Sequence, residues 1–284
     1  MQDDIVASIA TTVGPEITLA EIARTRGKRP DDFDAWDHYL RALSAYHRMT
    51  KEHVDAAIAD LEKAIQIDSE FANAHALLGL CHAHVGMRGW VRPARPAFER
   101  ARHWVEQAVR LAPTNPETLQ SLAFVLAITG HAEDAIRVAK SAIDLNPNLA
   151  EAYAVLGLAL ILCGDLEGGL AACRTAERGS PRDSRGTTYA AMALGFFFRG
   201  DYAIAIETSK KVLHQDPSRI GALVTLACTY ARLGRKDEAQ HYVDELLKYI
   251  PRYSLRALRK NPMFVAPDLI EKLVDSMRLA GLPE

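Results

Sequence analysis

Cysteine, tryptophan and aromatic residues in general are scarce in this 284-residue chain, which has four Cys, three Trp and 7% aromatics. Four thiols with no CxxC pair among them exclude a disulfide framework and set a reducing compartment as the expectation. So few aromatics argue against a β-sandwich or barrel, while the abundance of alanine favours helix. Neither charge sign is in excess: 34 Lys+Arg against 36 Asp+Glu leave a net charge of −2, so nothing marks the whole chain as a nucleic-acid or membrane-surface binder. No stretch reaches the roughly 18 apolar residues of a membrane span. The longest, 155–163, is far shorter. Asp3 and Asp4 stand where a secretory leader would carry Lys or Arg, so the expected location is cytoplasmic. Catalytic signatures are missing too: there is no GxSxG, no GxxxxGK[ST] and no HExxH.

What is present is a beat of about 34 residues. Pro113, Pro147, Pro181, Pro217 and Pro251 keep it, as do Gly130, Gly164, Gly200 and Gly234, and the small residues Ala101, Ala135, Gly169, Ala205 and Ala239. Each series has its own physical reason. The glycine ends a first helix in a left-handed conformation that a side chain resists. The small residue lies where two antiparallel helices cross closely. The proline follows the second helix and stops it from continuing.

The stretch 150–183 (AEAYAVLGLALILCGDLEGGLAACRTAERGSPRD) has an aromatic at place four, Leu-Gly at seven and eight, and Pro at thirty-two, and it resembles the tetratricopeptide repeat (TPR). The resemblance implies an all-α, right-handed α-solenoid. Laid along the chain, the register gives six units within 36–253: 36–71, 72–115, 116–149, 150–183, 186–219 and 220–253. Unit two carries an insertion, 87–96 (MRGWVRPARP), expected to loop out between its helices. Residues 1–35 read as a capping helix over 3–26 followed by a polar break, and 254–284 as two closing helices over 254–260 and 267–279, the second with Leu269, Leu273, Val274 and Met277 facing inward. The tail SLRALRKNPMFVAPDLIEKLVDSMRLAGLPE and the run RPDDFDAWDHYLRAL resemble a bacterial set in which a class III adenylate/guanylate cyclase or a winged-helix domain joins a TolB-like segment and then TPRs. That resemblance implies a regulatory or docking region of a longer signalling protein, with Met1 an artificial start.

In TPR solenoids the first helix of each unit lines the concave face. Place nine reads Ser44, Leu80, Phe124, Leu158, Leu194 and Cys228, and place twelve includes His47, Ile161 and Phe197. The expected site is therefore an apolar groove of Leu80, Phe124, Leu158, Ile161, Leu194, Phe197 and Cys228. Three readings of it stand side by side: burial by neighbouring units, filling by 3–26 or a second copy, and an external protein or peptide whose amphipathic helix lies in the groove. The place-five residues Leu40, Ala76, Gln120, Ala154, Ala190 and Val224 lack the Lys or Arg with which chaperone-tail TPRs hold a carboxylate. A secondary patch of Arg88, Trp90, Arg92 and Arg95 in the insertion could grip an acidic group, against a bland reading as solvated rim. The cluster Cys81-His82-Ala83-His84, with His47 nearby, gives at most a preformed pair on one helix face, so no metal is expected. No catalytic residue, no cofactor, no nucleic acid and no membrane partner is expected. A stand-alone adaptor, a homodimerisation module and a small-ligand sensor are the alternatives to the signalling scaffold.

Overall fold

The computed structural model describes residues 33–179 and 185–284. The expected helix over 3–26 and the turn at Pro181 lie outside these residues. Fourteen helices and no strand are present among the described residues, an all-α fold of the α-solenoid class. In chain order they are α1 (Ala35–Tyr46), α2 (Lys51–Ile67), α3 (Ala72–Met87), α4 (Arg95–Leu111), α5 (Pro116–Ile128), α6 (Ala132–Leu145) and α7 (Ala150–Leu162). Then come α8 (Leu166–Gly179), α9 (Arg185–Arg199), α10 (Tyr202–Gln215), α11 (Ile220–Arg232), α12 (Lys236–Tyr249), α13 (Leu255–Arg259) and α14 (Pro267–Leu279). None is long and apolar enough to cross a membrane.

The helix ends follow from local chemistry. Asp34 opens α1 through a capping box: its carboxylate accepts the Asp37 backbone N–H at 2.8 Å, and the Asp37 carboxylate accepts the Asp34 N–H at 3.1 Å. The glycine series sits where the sequence predicts, with φ of +89° at Gly130, +93° at Gly164, +98° at Gly200 and +71° at Gly234. In the first pair, whose turn carries extra residues, Met49 takes the left-handed role at φ +53°.

The chain divides into two compact units. Of the described residues, the first takes 33–86, 90–125 and 141–149, and the second 87–89, 126–140, 150–179 and 185–284. In the first unit α1 packs on α2 and α3 on α4. Its core is built from Ala42, Val54, Ala57, Leu61, Leu77, Leu78, Cys81, Val85 and Ala97, with Tyr39, Phe71, Leu80, Trp90 and Trp104 packed around it. In the second unit α7 packs on α8, α9 on α10 and α11 on α12, and α9 also touches α7, α8 and α11. Helices α3 and α7 are apolar on nearly every side and buried accordingly, as central elements of a packed array must be.

Close crossing explains the Leu-Gly places. A Cβ added at Gly157 would lie 2.8 Å from the Gly169 carbonyl and nearer still to Cys173 Sγ. A Cβ at Gly79 would lie 2.9 Å from the Ala101 carbonyl and 2.5 Å from Val105 Cγ1. Backbone meets backbone at both crossings, so only a hydrogen fits.

Candidate functional site

The expected groove residues fall in both units. In the first, Leu80 is half-buried against the core and Phe124 is buried. The Phe124 ring lies 5.7 Å from that of His84, which lies 5.5 Å from Tyr46, so α5, α3 and α1 each contribute one ring to a ladder. His47 is exposed at the end of α1. Beneath the ladder's helix, His38 Nδ1–H donates to Asp60 Oδ1 at 2.9 Å and Arg41 Nε lies 3.5 Å from Asp60 Oδ2. His38 and Asp60 are both buried, so each satisfies the other's polar group. His82 is buried on α3; burial, and then the charge of Arg100, push its pKa down to about 4. Among the described residues no three His, Cys, Asp or Glu come together as a metal site.

In the second unit Leu158 is buried, Leu194 is half-buried, and Ile161, Phe197 and Cys228 have no exposed surface at all. The expectation of an open apolar groove at Ile161, Phe197 and Cys228 is corrected by this burial. The physical cause is partly the neighbouring helices and partly the chain's own C-terminal segment. The Cys228 thiol points at the Leu273 carbonyl, 3.8 Å away, and Lys272 Nζ sits 5.4 Å over the Phe197 ring. Lys272 also donates to the Phe198 carbonyl at 2.8 Å, satisfying one of the last-turn acceptors of α9. Arg232 Nε donates to Ser276 Oγ at 2.7 Å and its other branch to the Lys272 carbonyl at 3.2 Å.

The segment before α14 continues the coverage. Ala266 N–H donates to the Leu162 carbonyl at 3.4 Å, Phe264 meets Phe198 edge-on at 6.1 Å, and a Cβ added at Gly130 would be 2.7 Å from the Pro262 carbonyl. One stretch of chain thus touches the ends of α5, α7, α9 and α11. Sequence reasoning placed helices at 254–260 and 267–279 and turned Leu269, Leu273, Val274 and Met277 inward. Leu273, Val274 and Met277 are buried and Leu269 is half-buried. Their target, the inner ends of the first helices, carries no local sequence signal.

The secondary patch does not hold as four free cationic and aromatic groups. Arg88 is buried and bidentate to Asp216, with Nη1 3.2 Å from Oδ1 and Nη2 2.5 Å from Oδ2, and Nη1 also donates to Ser218 Oγ at 2.7 Å. Burial pushes the Asp216 carboxyl up, but the hydrogen bonds and charge of Arg88 outweigh it and hold its pKa below the ordinary carboxylate value. Trp90 is half-buried against the first unit's core. Arg92 and Arg95 remain exposed, Arg95 beside Glu99 at 2.8 Å. An open cleft of about 550 Å³ lies elsewhere, lined by Tyr189 of α9 and by Glu207, Lys210, Lys211, His214 and Gln215 of α10.

Antiparallel helix pairs, glycine-closed turns and glycine-tight crossings define a helix-pair repeat protein of the α-solenoid class. Family models described as tetratricopeptide repeat match residues 129–184 and 220–253. Human tetratricopeptide repeat protein 7B is 30% identical over 81 residues, which is 28% of this chain and 10% of that protein; the match spans only a tenth of that relative's length. Among solved structures, a chain of the APC/C hetero-tetramer Cut9–Hcn1 aligns with 94% of this chain and 48% of its own length, at a TM-score of 0.62 and 14% identity. PilW, a widely conserved type IV pilus biogenesis factor, aligns over 76% of this chain and 94% of its own, at a TM-score of 0.51 and 15% identity. At these identities the likeness is one of fold.

Proposed function

We propose that the chain is a non-enzymatic scaffold that docks a protein or peptide through the inner faces of its TPR first helices. The observation that carries this reading is the repeat array itself, in which TPR matches coincide with helix pairs whose first members present apolar side chains on one face. An amphipathic helix is the partner chemistry that fits, because the half-buried positions Leu80 and Leu194 are apolar and offer no cation to hold a carboxylate. The tail's resemblance to cyclase- and winged-helix-linked TPR regions supports a finer reading, a cytoplasmic bacterial signalling role in which docking tunes a neighbouring domain.

The test is affinity capture from the source cells with the wild-type chain and with Leu80→Glu and Leu194→Glu, each checked for retained helix content. A specific protein enriched by wild type and lost with either substitution supports the scaffold. Equal recovery by all three chains, or none enriched by any, rejects it. Sedimentation of the same chains reports self-association, and an immunoblot of native cells reports the size of the protein that carries these repeats.

A further inference from the structure

Helix α14 has the form of a bound ligand. Its buried stripe is Leu273, Val274, Ser276 and Met277, while Asp268, Glu271, Asp275 and Arg278 face solvent, so it is an amphipathic helix laid on α11, with Lys272 reaching the end of α9. Its polar contacts are those a docked peptide would make: Lys272 on the Phe198 carbonyl, and Ser276 beside Arg232. Its first turn has no side-chain cap, since Ala266 stands at the capping position.

We propose that the inner face of α9 and α11 is a helix-binding groove, that α14 is its resident and displaceable occupant, and that a partner protein binds there by inserting an amphipathic helix of the same pattern. That pattern is a basic residue followed by an apolar pair, with a small polar residue four positions after the basic one and an apolar residue directly after that, as in Lys272-Leu273-Val274-Asp275-Ser276-Met277. The basic residue seats on the Phe198 carbonyl at the end of α9 and over the Phe197 ring, and the backbone of the leading apolar residue lies against Cys228. The proposal rests on the scaffold reading and adds to it the place, the partner chemistry and a built-in competitor.

The molecule carries its own probe. Cys228 lies fully buried against the Leu273 carbonyl, whereas Cys81 is buried in the first unit's core and Cys173 at the α7–α8 crossing. The experiment compares the full wild-type chain with the full chain carrying Leu273→Asp and Met277→Asp, using N-ethylmaleimide labelling read site by site in a mass spectrometer. A labelled synthetic peptide with the sequence of residues 262–282 is the ligand. The expected result is that Cys228 labels at least about tenfold faster in the variant while Cys81 and Cys173 stay protected. The peptide then binds the variant at least about tenfold more tightly than wild type, where the resident helix reduces the competent fraction, and restores Cys228 protection.

A folded variant with Cys228 exposed that ignores the peptide would overturn the proposal. So would simultaneous labelling of Cys81, Cys173 and Cys228, which makes α14 an inseparable part of one cooperative core. A doubled mass of the variant with Cys228 protected assigns the groove to a second copy and overturns the hetero-partner assignment. Where the variant does not fold, amide exchange of the wild-type chain decides: α14 opening well before α9 and α11 supports displacement, and common exchange rejects it. None of these readouts needs a cellular partner, so failure here is distinct from failure of the capture experiment.

Discussion

The inner faces of the two units are built on the same helix-pair framework and finished differently. In the first, the face carries the Tyr46–His84–Phe124 ring ladder, and His38 on α1 pairs with Asp60 on α2. In the second, the face is aliphatic and phenyl, with Leu158, Ile161, Leu194 and Phe197, and Lys272 of the chain's own C-terminal segment lies over the last of them. The difference teaches that a repeat fixes where backbones go and leaves the chemistry of the face open. Places seven and eight answer to the neighbouring helix within the pair; places nine and twelve answer to whatever lies against the face.

The largest expected effect tests the shared framework. Gly157→Val and Gly79→Val each force a side chain against a carbonyl under 3 Å from the added Cβ, at 2.8 Å and 2.9 Å. Because backbone cannot rotate away, each is expected to cost about 3 kcal/mol or more of unfolding free energy in urea titrations. Similar losses in the two units uphold a common crossing geometry. A benign Gly79→Val would break the comparison at its root.

Next in size is a contact confined to the second unit. Arg88→Ala removes the bidentate partner of Asp216 and strands a carboxylate that is 21% exposed. The expected loss is about 3 kcal/mol, against a cost near zero for an exposed rim arginine. Urea titration separates the two, and Arg88→Lys should recover only part of the loss, since an ammonium cannot make the fork.

Acid should act first on the other unit. His82 has a pKa pushed from 6.5 down to about 4, so the unfolded chain binds a proton there that the folded chain refuses. Stability from this residue is complete above about pH 6.5 and is lost as pH falls from 6.5 toward 4, by about 2 kcal/mol after allowance for partial solvation. His82→Gln should flatten that part of the stability–pH curve while leaving stability at pH 7.5 within about 1 kcal/mol. An unchanged slope would remove His82 as the first unit's acid-sensitive point.

Most of this fold was legible as periodicity. The glycine, small-residue and proline series each reflect a contact repeated at fixed sequence distance, so helices, turns and crossings could be placed without knowing any neighbour. The candidate site was legible only in part, because its state depends on contacts without a period. Nothing local announces that Lys272 will reach the Phe198 carbonyl 74 residues earlier, or that Arg88 will find Asp216 128 residues later. Amphipathicity told that α14 buries Leu273, Val274 and Met277; it could not tell against what. Arg88 shows the reverse limit, since an arginine in a Gly-, Trp- and Pro-bearing insertion reads as solvated rim until its partner is seen.

The smallest effect concerns what remains of that rim. Arg92 and Arg95 are exposed, and Arg95 is paired only with Glu99 one helical turn away at 2.8 Å. An exposed pair of this kind contributes about 0.3–0.5 kcal/mol, so Arg92→Ala with Arg95→Ala should shift stability by no more than about 0.5 kcal/mol. The same double variant also separates docking by apolar helix from docking by charge. Two arginines that gripped a polyanionic partner would release counterions, so their loss would weaken capture and reduce its salt dependence. Capture through the first-helix faces would be unchanged at every ionic strength. The expected outcome is the second, because Arg88, the third cation of the patch, is already committed to Asp216 and Ser218. A fall in both affinity and salt slope would move the docking surface from the inner faces to the insertion.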